Sequence, residues 1–170
     1  MKIYVSAVMK LPIPNHNIPK KGSLLAAFLL LALDQISKSL VLQKISNSDV
    51  ITITPFLNFI LTFNKGVTFG LLKAHSSYHI ILLLAGAFVM SVVVIIWWLS
   101  SENVMQRYAT AMILSGAIGN IIDRIRFQGV VDFIDFHILG YHWYTFNVAD
   151  SAIVVGVGFL LLDSFLSNKK

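Results

Sequence analysis

"HIILLLAGAFVMSVVVIIWWL", residues 79–99, runs without an acid, a lysine or an arginine and ends in Trp97 and Trp98. A helix needs about 20 mostly apolar residues to cross about 30 Å of hydrocarbon, and tryptophan gathers at the headgroup level. The stretch therefore predicts a transmembrane helix, and the rest of the chain is read from it.

Three further stretches have the length of a span: "SLLAAFLLLALDQISKSLVL" (23–42), "MQRYATAMILSGAIGNIIDRI" (105–125) and "ADSAIVVGVGFLLLDSFL" (149–166). Of the 170 residues, 56% are hydrophobic and only 12% charged. A soluble domain is nearer about 25% charged and has no means of covering so much apolar surface. Lys20 and Lys21 ahead of a short apolar run resemble a cleaved signal sequence, but no small-x-small site follows and "DQISK" continues the helix, so a retained anchor is expected.

Charge gives the orientation. The tails and the 100–107 loop carry Lys2, Lys10, Lys20, Lys21, Arg107, Lys169 and Lys170, against Lys44, Lys65, Lys73 and Arg126 in the 43–78 and 126–146 connections. This bias predicts both termini in the cytoplasm and both long connections on the outer face. The net charge of +5 brackets spans instead of forming a basic stripe, which argues against nucleic acid. With no cysteine, thiol nucleophiles, disulfides and cysteine-held metal are excluded. "ITITPFLNFILTF" (51–63) alternates and is rich in β-branched and aromatic types, predicting short strands that Pro55 splits or confines to an edge.

Ionisable residues at membrane depth mark function by default. Asp34 and Lys38, at i and i+4, share a helix face and are expected to pair. "GAIGNIIDR" (116–124) brings Asn120, Asp123 and Arg124 to a similar depth, with Gly116 and Gly119 leaving room for a neighbouring helix. In "FNVADS" (146–151), Asn147 is placed to cap a helix whose first turn holds Asp150. "VVDFIDF" (130–136) adds Asp132 and Asp135; an extended chain separates these two onto opposite faces, whereas a helical turn turns both inward.

Two carboxylates a few Å apart in a poorly solvated site share one proton. One acid then activates water while the other protonates a carbonyl, as in aspartic proteases. A proton-coupled transporter and an assembly subunit clamped by ion pairs are the competing readings. His75 and His79 are spaced as a metal pair with no third ligand nearby. No serine sits in a G-x-S-x-G elbow. His137 and His142 read as surface-turn residues, and Asp163 as snorkelling toward Lys169 or Lys170.

Five blocks in order, "DQISK" (34–38), "NKGVTFG" (64–70), "GAIGNIIDR" (116–124), "VVDFIDF" (130–136) and "FNVADS" (146–151), resemble the signal peptidase II family of bacterial membrane aspartic proteases. The resemblance implies a mainly α membrane protein: four transmembrane helices with a small outer-face β-cradle and an interfacial helix. It assigns the catalytic pair to Asp132 and Asp150. Asp34, Lys38, Asn64, Gly66, Asn120, Arg124, Asn147 and Ala149 fall on its supporting and substrate-lining positions. It further implies cleavage of a prolipoprotein just before a diacylglyceryl-modified cysteine, with no metal or cofactor, by a monomer among phospholipids of the inner membrane. Thr68 stands where the family usually has alanine. Residues 1–22 read as a cytoplasmic extension and 23–170 as one protease domain. Gly66 and Gly70 are a candidate hinge.

Overall fold

The computed structural model describes residues 20–46, 49–66, 77–101 and 103–167. Four long helices are present, α1 Lys20–Lys44, α2 Ser77–Ser100, α3 Val104–Phe127 and α4 Val148–Ser167, with four strands, β1 Ile51–Thr54, β2 Leu57–Asn64, β3 Val130–Ile138 and β4 Tyr141–His142. Each helix runs slightly beyond its predicted span, and Lys20 and Lys21 form the first turn of α1 instead of preceding it. Three helical stretches, Lys20–Lys44, Tyr78–Ser100 and Val148–Ser167, are long and apolar enough to cross a membrane. The third helix carries Arg107, Asp123, Arg124 and Arg126 and is not among them.

That polarity has a structural reason, because α3 is the hub of the bundle and packs against α1, α2 and α4. Small residues make the contacts close. A Cβ at Gly116 would collide with the Ala149 carbonyl oxygen of α4, and one at Gly156 would lie 2.7 Å from the Ala109 carbonyl oxygen of α3. The buried set is accordingly small and polar: Ala109, Ala111, Ala149 and Ala152 beside Asp34, Lys38, Asn120, Asp123 and Asn147. Large apolar side chains face outward, among them Phe28, Leu29, Leu82, Phe88, Ile96 and Leu161. Water would not tolerate such a patch, whereas lipid would.

All four strands lie at one end of the bundle, reached by the C-termini of α1 and α3 and left by the N-termini of α2 and α4. They form an antiparallel sheet in the order β1-β2-β3-β4. Pro55 and Phe56 make the turn between β1 and β2, the split that the sequence predicts. Phe59 of β2 and Phe133 of β3 meet edge-to-face at 5.8 Å. Phe133 joins Val41 and Ile45, at and just past the end of α1, in the one cluster of buried apolar side chains found among the described residues. Beyond β4 the chain returns to β3: Phe133 and Ile134 both donate to the Phe146 carbonyl, and Phe146 donates back to Ile134. This bridge fixes β3 against the start of α4. No interfacial helix occurs among the described residues; the 67–76 segment, with Thr68, Gly70 and His75, lies outside them, as do residues 1–19 of the N-terminal extension.

At the opposite end, one expectation changes. Arg107, counted above as a loop cation, is fully buried in α3, donating to the Ser101 carbonyl at 3.0 Å and lying 5.7 Å from the Trp98 ring centroid. Lys169 and Lys170, toward which Asp163 is expected to snorkel, lie outside the described residues. The Asp163 carboxylate accepts from Asn103 (3.0 Å) and Gln106 (2.7 Å) and so ties α4 to the first turn of α3. Asn103 is the α3 N-cap, and its amide uses the oxygen for the cap and the nitrogen for Asp163.

Candidate active site

Asp150 enters the site through a helix start. The Asn147 side-chain oxygen accepts from the Asp150 backbone N–H at 2.9 Å, and Asp150 Oδ2 accepts from the Asn147 backbone N–H at 3.3 Å. This is a reciprocal capping box. It realises the predicted cap and uses one oxygen of Asp150, while Oδ1 accepts from Asn120 of α3 at 2.8 Å.

Asp132 enters through β3. The strand is extended, so the two acids of "VVDFIDF" separate. Asp135 goes to Asn58 (3.0 Å) and His142 (2.8 Å). His142 also stacks on His137 at 4.9 Å, so the two expected turn residues form part of that cluster. Asp132 goes the other way, taking a hydrogen bond from Asn64 of β2 on Oδ2 at 3.0 Å and one from Asn147 on Oδ1 at 2.6 Å. Asn147 therefore touches both acids, Asp132 through its amide nitrogen and Asp150 through its backbone N–H.

The amides are themselves held. The Asn64 oxygen accepts from the Gly66 N–H at 2.9 Å, a turn in which Gly66 adopts φ 72°, favourable for glycine and strained for other residues. The Asn120 oxygen accepts from Lys38 at 3.2 Å, and its backbone carbonyl from Arg124 at 3.3 Å. The Arg124 guanidinium is also within electrostatic reach of Asp150, Asp132 and Asp123.

Asp132 is 1% exposed. Burial pushes its carboxyl up to about 6, the Asn64 hydrogen bond opposes this, the Asp150 charge adds to it, and the Asn147 bond and Lys38 charge oppose it. For Asp135, burial also pushes upward, but the bonds from His142 and Asn58 and the nearby imidazoles outweigh it and leave the carboxyl below its ordinary value. Two neighbouring acids on one strand thus have opposite tendencies, set by their separate surroundings.

Beneath the acids lies an ion cluster. Lys38 pairs with Asp34 at 2.9 Å, as its spacing predicts, and also with Asp123 at 2.8 Å. Gln35 donates to both carboxylates, at 3.1 and 3.2 Å. Asp123 and Gln35 are absent from the set of site residues expected from sequence. Asp123 meets Lys38 only across a helix–helix contact, which i,i+4 spacing along one chain segment does not reveal. The Ala149 backbone N–H donates to Asp34 at 2.9 Å. All ten expected positions are therefore brought to one end of the bundle. Beside Asp150, Trp143, Phe146, Ser151, Val154 and Val155 line an apolar groove of about 350 Å³. Among the described residues, no three His, Cys, Asp or Glu side chains are grouped to hold a metal ion.

Residues 26–166 match the family model described as signal peptidase (SPase) II. The chain belongs to the signal peptidase II family. As members of that family, similar relatives include the lipoprotein signal peptidases of Coxiella burnetii, 43% identical over 141 residues covering 82% of this chain and 86% of that protein, and of Syntrophotalea carbinolica, 43% identical over 142 residues covering 82% and 88%. That of Pelagibacter ubique is 44% identical over 134 residues, covering 77% and 79%. Among the chain's structural neighbours is a bacterial membrane enzyme solved by the in meso method at 2.3 Å. It superposes with a TM-score of 0.77 at 28% identity, covering 88% of this chain and 92% of its own. Membership in a peptidase family sets aside the transporter and assembly-subunit readings.

Proposed function

We propose that this chain is an aspartic endopeptidase of the bacterial inner membrane that removes the signal peptide from diacylglyceryl-modified prolipoproteins, cutting just before the lipidated cysteine. Asp132 and Asp150 act as one proton-sharing pair. The observation that carries this reading is the grip of a single residue, Asn147, on both carboxylates.

In the resting site Asp132 holds the shared proton and Asp150 is the base. Asp150 takes a proton from water as the oxygen attacks the scissile carbonyl carbon, and Asp132 gives its proton to the carbonyl oxygen. The tetrahedral intermediate then collapses. The C–N bond breaks, Asp150 delivers its proton to the departing cysteine nitrogen, and Asp132 recovers one from the geminal hydroxyl. Asn64, Asn120 and Asn147 orient the carboxylates, and the apolar groove beside Asp150 suits a substrate that stays in lipid.

The remaining features follow the same reading. All four helices cross the bilayer, with α3 shielded by its neighbours; both termini are cytoplasmic and the sheet faces outward. The protein works as a monomer surrounded by phospholipid, without metal or cofactor. The test is single replacement, Asp132→Asn and Asp150→Asn, in purified protein acting on a lipid-modified precursor peptide. Each variant is expected to lose at least about 100-fold in kcat while keeping its fold. Cleavage at the normal rate by either would refute the pair.

A further inference from the structure

Lys38 is 2% exposed, and Asp34 and Asp123 are each 1% exposed, so substrate touches none of them. All three N–H bonds of the ammonium are in use, to Asp34 Oδ2 (2.9 Å), Asp123 Oδ2 (2.8 Å) and Asn120 Oδ1 (3.2 Å). The remaining bonds of the two carboxylates are more informative. Asp34 Oδ1 accepts the N–H of Ala149, the residue before Asp150, at 2.9 Å. Asp123 Oδ2 accepts the N–H of Val131, the residue before Asp132, at 3.1 Å. The third arm, Asn120, passes its own N–H to Asp150 at 2.8 Å.

One ammonium therefore joins two carboxylates, each holding the backbone immediately ahead of one member of the pair. We propose that Lys38 is a positioning residue: its ammonium, bridging Asp34 and Asp123, sets the separation of Asp132 and Asp150. The inference rests on the reading of those two acids as the catalytic pair. Stability alone gives a poor account of the cluster, because a buried ion group loses hydration and a neutral set of similar shape is often as stable. Geometry gives a better one. Among the described residues, α1 reaches the Val131 N–H through Lys38 and Asp123, or through the longer Gln35 contact, and the Val131 carbonyl through Lys38, Asn120 and Asn147.

The discriminating variant combines Lys38→Met, Asp34→Asn and Asp123→Asn. Asparagine oxygens still accept from Ala149 and Val131, no unpaired charge is left buried, and the ammonium's bridge, with its bond to Asn120, is gone. The expected result is a melting temperature within a few degrees of the parent, KM within about threefold, and kcat reduced at least about 100-fold, the scale of a misplaced reacting group. A stable variant with the parent's kcat would overturn the proposal. So would failure to fold, because the cluster would then be a fold support. Asp132→Asn and Asp150→Asn run alongside separate the two claims. If both are inactive while the triple variant cuts normally, only the positioning role falls. If either cuts normally, the pair itself is wrong and the positioning role falls with it.

Discussion

At the scale of single residues, what the sequence discloses depends on whether partners are local. The Asn147–Asp150 cap and the Asp34–Lys38 pair follow from spacings of three and four residues, and both are found. Asp123, Asn64 and Gln35 find their partners on other elements, and nothing along the chain announces those contacts. The choice between Asp132 and Asp135 depends on whether "VVDFIDF" is extended, which two acids three residues apart do not decide. Asp132 also makes a pH prediction. Its folded value, about 6, lies above the ordinary 3.8. For an acid raised in this way, its contribution to stability is complete below the unfolded value and is lost as pH rises through the folded one. The protein in nanodiscs should thus lose thermal stability between about pH 4 and pH 6.5, and Asp132→Asn should be flatter over that window. Equal slopes would show that Asp132 does not carry the effect. Asn64→Ala removes the hydrogen bond that opposes burial, so the carboxyl should titrate higher still, read as a rightward move of the pH at which stability declines.

At the scale of elements, three of the four helices are plain in hydropathy, and the β1–β2 hairpin in its alternation and Pro55. Strand β3 is not, since its first four residues, Val130 to Phe133, are all buried and show no alternation of buried and exposed faces. Its place comes from the backbone bridge to Phe146, a contact between segments twelve residues apart. The glycines of α3 are legible as packing residues, though not which helix each admits. A Cβ at Gly119 would sit 2.6 Å from Asp34 Oδ2, whereas nothing lies within 4 Å of one at Gly158. Gly119→Ala should destabilise by about 1–3 kcal/mol, the usual result of overpacking, and reduce cleavage by displacing Asp34. Gly158→Ala should be neutral. Thermal unfolding of the two variants side by side checks the contrast, and equal behaviour would mean that the α1–α3 contact yields more easily than its geometry implies.

At the scale of the whole molecule, composition gives a membrane protein, and the arrangement explains why one helix is too polar to stand out: α3 packs against the three other helices and buries Arg107 and Asp123. Orientation is a prediction of charge bias alone. The chain lacks cysteine, so single cysteines report it directly. Tyr141→Cys, at an exposed position of the sheet, should react with an impermeant maleimide in intact cells, and Val104→Cys, at the other end, only after permeabilisation. The reverse result would invert the topology. Removal of residues 1–19 should leave cleavage intact in correctly inserted protein. Central to every scale is one proton shared between Asp132 and Asp150. Isotope-edited infrared titration of the aspartates in nanodiscs observes it directly. A protonated carboxyl band should persist to about pH 6, vanish in Asp132→Asn, and disappear at lower pH in Asp150→Asn, because the Asp150 charge helps to hold Asp132 up. An Asp132 midpoint unmoved by Asp150→Asn would mean that the two acids titrate independently, and would contradict the shared proton.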